Sequence, residues 1–136
     1  MITIPSVVFE FSRGAKTVEE YNWYVDYINN LGVVVYKHAE EQMVIDKAFS
    51  VILQAECKKS GCKASYTDFL LMMLLHKFAN MPNNIFLMTS NYRDVPTSVF
   101  DRDELIALEY QNSIQTQGLY KNSASKLGAL SATVAM

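Results

Sequence analysis

The stretch NNIFLMTSNYRDVP, from Asn83 to Pro96, is the one on which the fold turns. Its first half, Ile85 to Ser90, is apolar enough to read as a buried strand. Its second half is polar and carries Asn91, Arg93 and Asp94 ahead of Val95 and Pro96. A buried strand ending on such a cluster either turns a corner there or presents reactive groups there. The neighbouring segments bear on which.

Upstream, SYTDFLLMMLLHKFAN is apolar nearly all round from Tyr66 to Phe78, the pattern of a helix buried on several sides. Ser65 and Asp68 stand at capping-box spacing before it. A long helix is expected from about His38 to Lys59, because Ile45, Ala48, Phe49, Ile52 and Leu53 recur on one helical face. Gly61 stops it. The β-branched run GVVVY, Gly32 to Tyr36, reads as another buried strand. Before it, Val18 to Leu31 is expected to be helical, with Thr17 as N-cap and Glu20 completing a capping box. At the start, Ile2 to Ile4 reads as a short strand, Pro5 suits the first turn of a helix and Gly14 ends that unit.

Downstream, ELIALEY, Glu104 to Tyr110, alternates imperfectly and is read as a strand. The Ser-, Ala- and Gly-rich end from Lys121 reads as a flexible tail or a short docking element. Helices alternating with short buried strands predict an α/β domain over residues 1–120, with a parallel sheet and a tail over 121–136.

The bulk properties exclude some functions. Of 136 residues, half are hydrophobic, enough for a real core, and the net charge is −2. No excess of Lys and Arg advertises a polyanion-binding protein, so nucleic acid would be met by a local patch or through cations. Cys57 and Cys62 lack two further ligands at matching spacing, and His38 and His76 stand alone, so reduced thiols are expected rather than zinc. FLLMMLL is too short to cross a bilayer, and MITIPSVVFEF lacks the pattern of a signal peptide. A soluble cytoplasmic protein is the expectation.

Three acids stand out by their setting. Glu10 lies inside an apolar first helix, Asp68 opens the buried helix, and Asp94 follows the strand with Asn91 ahead of it. In an open parallel sheet, sites form beyond the carboxyl ends of the strands, where helix starts also gather. Clustered carboxylates repel unless a cation joins them, and Mg²⁺ or Mn²⁺ suits oxygen ligands. Each acid also has a plainer use: Asp68 as a helix cap, Asp94 in an Asx turn, Glu10 paired with Arg13.

The succession ITIPSVVFEFSRG, SYTDFLLMMLLHKF and IFLMTSNYRDVP resembles the PIN domain, over roughly Ile2 to Pro96. That family includes the toxin ribonucleases of toxin–antitoxin pairs and several RNA-processing nucleases. The resemblance implies a three-layer α/β domain with a central, mainly parallel sheet and helices on both faces. It assigns the catalytic carboxylates to Glu10, Asp68 and Asp94, and the metal ligands to Glu10, Asp68, Asn91 and Asp94. Thr89 and Ser90 would support that site. The implied activity is hydrolysis of RNA with Mg²⁺ or Mn²⁺, by attack of a metal-bound water. Lys16, Lys37, Lys58, Lys59 or Arg93 would meet phosphates.

The chain departs from the family in three places, one being MPNN, which lengthens the connection between Asp68 and the strand. Val95 replaces the aromatic after Asp94, and no strand ending in Asp precedes Glu10. That first Asp is lost, supplied by another chain, or part of a longer sequence. The nuclease would be the toxin of a toxin–antitoxin pair, with an antitoxin as partner, whereas the missing Asp favours a second reading, a PIN-like scaffold or binding subunit of a larger assembly; either would form a homo- or hetero-oligomer. The aromatics of YNWYVDYINNL, Tyr21, Trp23, Tyr24 and Tyr27, would then form a partner surface, although half-buried core is their commoner fate. A third reading is an unrelated small phosphate-binding or regulatory domain, but the five glycines are scattered singly and form no phosphate loop.

Overall fold

The computed structural model describes residues 2–3, 5–30, 34–35, 46–80, 85–110 and 112–135. They fall into two compact units, Met1–Val44 and Ile45–Met136. Within the first, β1 (Ile2–Thr3), α1 (Pro5–Ser12), α2 (Val18–Asn30) and β2 (Val34–Val35) follow in order. The two strands pair in parallel, Ile2 beside Val34 and Thr3 beside Val35. A parallel pair needs a long crossover, and the two helices supply it.

Pro5 opens α1, where its missing N–H leaves no helix hydrogen bond unmade. At the other end, the buried Ser12 donates its hydroxyl proton to the Val8 carbonyl at 2.9 Å. α2 begins at the expected cap: Thr17 Oγ1 accepts from the Glu20 N–H at 3.1 Å. The Glu20 carboxylate reaches one residue further back than an ideal capping box, to the Lys16 N–H at 2.7 Å. Ile28 is the buried residue of α2. Trp23 and Tyr27, four apart on another side, stack with ring centroids 5.5 Å apart and stand 60% and 42% exposed. They are an outer face of this helix, not core.

The second unit carries α3 (Lys47–Ser60), α4 (Tyr66–Lys77), β3 (Leu87–Thr89), a 3₁₀ turn (Tyr92–Asp94), β4 (Phe100–Tyr110), β5 (Ser113–Asn122) and α5 (Ala124–Ala135). α3 is capped by Asp46, whose carboxylate accepts from the Phe49 N–H at 3.1 Å. α4 buries Thr67, Leu70 and the run Met72 to Leu75, as its near-continuous apolar composition requires. With Phe49, Ile52 and Leu53 of α3, and Val99, Phe100 and Tyr120 from the sheet region, it forms the core of this unit. The Phe49 ring stacks on His76 at 3.8 Å and meets Phe100 edge-on at 6.0 Å. The segment 38–45, expected as the start of α3, lies outside the described residues.

The expected central, mainly parallel sheet is overturned. The sheet of this unit has three antiparallel strands in the order β3-β5-β4. The reason is the connection between β4 and β5. Tyr110 pairs with Ser113, which leaves room only for a hairpin turn, whereas a parallel return takes a dozen residues or more. Asn112 turns that corner at φ 64, a left-handed conformation Asn tolerates better than most residues. The strand reading of ELIALEY holds, and β4 runs longer than that, with an irregularity between Arg102 and Glu104.

The Ser- and Ala-rich end is a helix. Ser123 Oγ accepts from the Lys126 N–H at 3.3 Å at its start, and Lys126 Nζ pairs with Asp101 at 2.8 Å. α5 packs on α3. Among the described residues no helix is long and apolar enough to cross a membrane.

Candidate functional site

Two loops and one strand of the second unit meet at a polar corner, which gathers most of the acids singled out in the sequence. The first loop begins where α3 ends. Gly61 takes φ 71, a left-handed conformation that favours glycine. Its N–H donates to the Lys58 carbonyl at 3.4 Å, and the Cys62 N–H donates to the Cys57 carbonyl at 3.0 Å. This pair of bonds is a Schellman motif, which folds the chain back across the last turn and brings Cys62 over Cys57.

The loop then enters α4 through a complete capping box. Asp68 N–H donates to Ser65 Oγ at 3.2 Å, and Asp68 Oδ2 accepts from the Ser65 N–H at 3.0 Å. Asp68 Oδ1 lies 3.4 Å from the Asn91 side-chain amide, which donates to it. Asn91 in turn sits in a bend held by its own N–H and Thr89 Oγ1, 3.0 Å apart. Asp94 closes the 3₁₀ turn, its N–H donating to the Asn91 carbonyl at 2.9 Å. Its Oδ1 accepts from the Lys63 N–H at 2.9 Å, tying the two loops together.

β5 backs the corner. The Tyr120 hydroxyl donates to the Tyr92 carbonyl, and burial raises its pKa above the ordinary phenol value. Gly118 lets Tyr92 sit close: a Cβ there would lie 2.8 Å from Tyr92 Cβ and 2.7 Å from Tyr120 Cε2. Val95 and Pro96 are buried immediately after the turn. The expected buried strand is instead an edge strand with Phe86 and Met88 exposed, and the chain turns a corner after it, anchored on its far side by apolar burial.

The structure thus brings Asp68, Asn91, Asp94 and Thr89 to one corner. Ser90 is exposed at the bend. Glu10 lies on α1 of the other unit, with its side chain outside the described residues. Of the cations considered for phosphate contact, Arg93 is exposed and its guanidinium lies 5.6 Å from the Tyr92 ring centre. Lys16, Lys58 and Lys59 are exposed, and Lys59 pairs with Glu56 at 3.5 Å. Lys37 lies outside the described residues.

Among the described residues, no group of three or more His, Cys, Asp or Glu side chains is arranged to hold a metal ion. Asp68 Oδ1 and Oδ2 and Asp94 Oδ1 each accept from a main-chain N–H or an amide.

Sequence reasoning missed three members of the corner. Cys57 is buried beneath it and Cys62 lines it, with Cys62 Sγ 3.0 Å from Ser60 Oγ. Burial, reinforced by the neighbouring Cys62 thiol, pushes the Cys57 pKa up to about 11. The signal was present in CKKSGC, where Gly at the fifth position marks a helix end that folds its last residue back on its first. Tyr120 left no such signal, since its partner is fixed by strand register alone. No protein-family model, curated protein or solved structure matches the chain.

Proposed function

We propose that this protein is a binding subunit that works through a protein partner rather than through hydrolysis. The observation that carries this reading is the outer aromatic face of α2. Trp23 and Tyr27 stack on each other while remaining 60% and 42% exposed, and Tyr21 stands 48% exposed on the same helix. Exposed Trp and Tyr side chains are the residues that most often anchor protein interfaces, since they bury much surface at little conformational cost. The polar corner supports the reading from the other side, because Asp68 and Asp94 fasten loops.

A second reading retains the ribonuclease implied by the PIN resemblance. What favours it is the meeting of Asp68, Asn91 and Asp94 at one corner. Calorimetric titration of the full chain with MnCl₂, beside an RNA-cleavage assay with and without EDTA, separates the two. A binding subunit gives no Mn²⁺ heat and no EDTA-sensitive cleavage. Cleavage that needs Mn²⁺ and vanishes in Asp68→Asn overturns it. The interface itself is tested by capture from the native host: a protein retained by the wild-type chain is lost with Trp23→Ala. The single tryptophan also reports the event, its emission shifting to the blue on complex formation.

A further inference from the structure

We propose that Cys57 and Cys62 form a reversible dithiol–disulfide site, closed by hydroperoxide oxidants and reopened by small thiols. The argument starts from the backbone. The Schellman bonds at the end of α3 place the two cysteines at the ends of the same six-residue turn, Cys62 N–H on the Cys57 carbonyl at 3.0 Å. Side chains at these two positions characteristically touch. Both thiols are free, and Cys62 is near enough to Cys57 to add to the effect of burial in raising its pKa. A disulfide asks for close, convergent Cβ atoms, and the turn brings the two cysteines together at its ends, where one main-chain hydrogen bond joins them.

The two sulfurs are unequal. Cys62 is partly exposed, with Ser60 Oγ at 3.0 Å and the Arg93 carbonyl at 3.9 Å. Cys57 is 4% exposed and held protonated by burial. Cys62 therefore meets the oxidant first. Its thiolate attacks the terminal oxygen of the hydroperoxide; the S–O bond forms, the O–O bond breaks and the alkoxide leaves as an alcohol after taking a proton. The Cys57 sulfur then attacks the Cys62 sulfur of the sulfenic acid. The S–S bond forms, the S–O bond breaks, and hydroxide departs with the Cys57 proton as water. Two thiols and one hydroperoxide become one disulfide, one alcohol and one water, the thiols losing two electrons to the O–O bond. Attack by a small thiol reverses the closure through a mixed disulfide.

The site bears on the corner, because the loop after Cys62 carries the Lys63 bond to Asp94 and the Ser65 cap of α4. Mass spectrometry of the full chain decides the matter. After equimolar hydrogen peroxide, the intact protein is expected to be monomeric and lighter by two hydrogen atoms, with neither thiol open to iodoacetamide. Dithiothreitol restores both. Trypsin cuts after Lys58 and Lys59, so the oxidised chain releases Ser60–Lys63 joined to the peptide ending in Cys57 and Lys58. Cys57→Ser, treated alike, stops at a Cys62 sulfenic acid or an intermolecular dimer. Two thiols still alkylated in the wild type, or over-oxidised or dimeric species in place of the linked peptides, overturn the proposal whether or not the variant folds.

Discussion

A carboxylate beside a main-chain N–H fastens a turn or waits for a cation, and the two uses have opposite signatures in stability. Asp68 is bonded to the Ser65 N–H and Asn91 amide, Asp94 to the Lys63 N–H. If these are fasteners, Asp68→Ala in metal-free buffer lowers the unfolding free energy by ~1 kcal/mol, the order of a lost capping interaction. An assembled metal site lacking its ion would instead gain stability as repulsion between carboxylates is relieved. Urea denaturation with EDTA present reads the sign. Cys57 makes a second prediction at this scale. Its folded pKa of about 11 lies above the ordinary thiol value, so its contribution is full below about pH 8.5 and is lost as pH rises toward 11. Cys57→Ala is expected to flatten the fall in stability across that alkaline window, measured by denaturant midpoints at stepped pH. Asp46 has the opposite sign. The Phe49 N–H holds its carboxyl below the ordinary range, so its contribution is present above about pH 4 and lost as pH falls.

Elements meet where small residues let them, and two glycines separate packing from propensity. A methyl group at Gly118 would lie 2.8 Å from Tyr92 Cβ, so β5 could no longer hold the 3₁₀ turn at its present distance. Gly118→Ala is expected to cost roughly 1–3 kcal/mol, the range for overfilling a packed contact. Gly128 sits inside α5 with nothing within 4 Å of an added Cβ. Gly128→Ala should therefore stabilise by roughly 0.5–1 kcal/mol, the gain of replacing glycine in a helix interior. Thermal unfolding of the two variants checks the contrast, and no loss in Gly118→Ala would show that the Tyr92 contact is not close-packed. At this scale the reading of helices succeeded where a periodic face or a cap carried it, as with Thr17, Ser65 and Gly61. The β4–β5 hairpin was not legible as such. Its turn uses Asn112 without the neighbouring glycine that usually announces one, and the alternation of β5 is weak.

For the molecule as a whole, the buried and exposed apolar groups have different work. Leu53 and Met72 are 0% exposed within the second unit. Leu53→Ala is expected to cost ~2–5 kcal/mol, a transfer term plus a cavity term, seen as a large fall in the denaturation midpoint. Trp23→Ala on α2 should change stability by no more than about 0.5 kcal/mol, as for other surface substitutions, while removing partner capture. Loss of stability on that scale of a core truncation would mean that the Trp23 face is structural, and capture would then be lost for an uninteresting reason. The two variants together distinguish an interface from a core.

What the sequence determined by itself is local. Helix starts and stops, the buried character of α4 and the short strands of the first unit all follow from spacing, capping and composition within a few residues. What only the tertiary structure decided is pairing. Whether a strand returns parallel or antiparallel depends on how many residues the connection spans and on which edge is open, and a run such as ELIALEY carries neither fact. The same holds for the corner. Asp68 and Asn91 meet across 23 positions of chain, and the Tyr120 hydroxyl finds the Tyr92 carbonyl across 28, through register that no short motif encodes. Hydrogen-bond partners at such distances are chosen by the packing of whole elements, because their individual energies are too small to select one alignment over another.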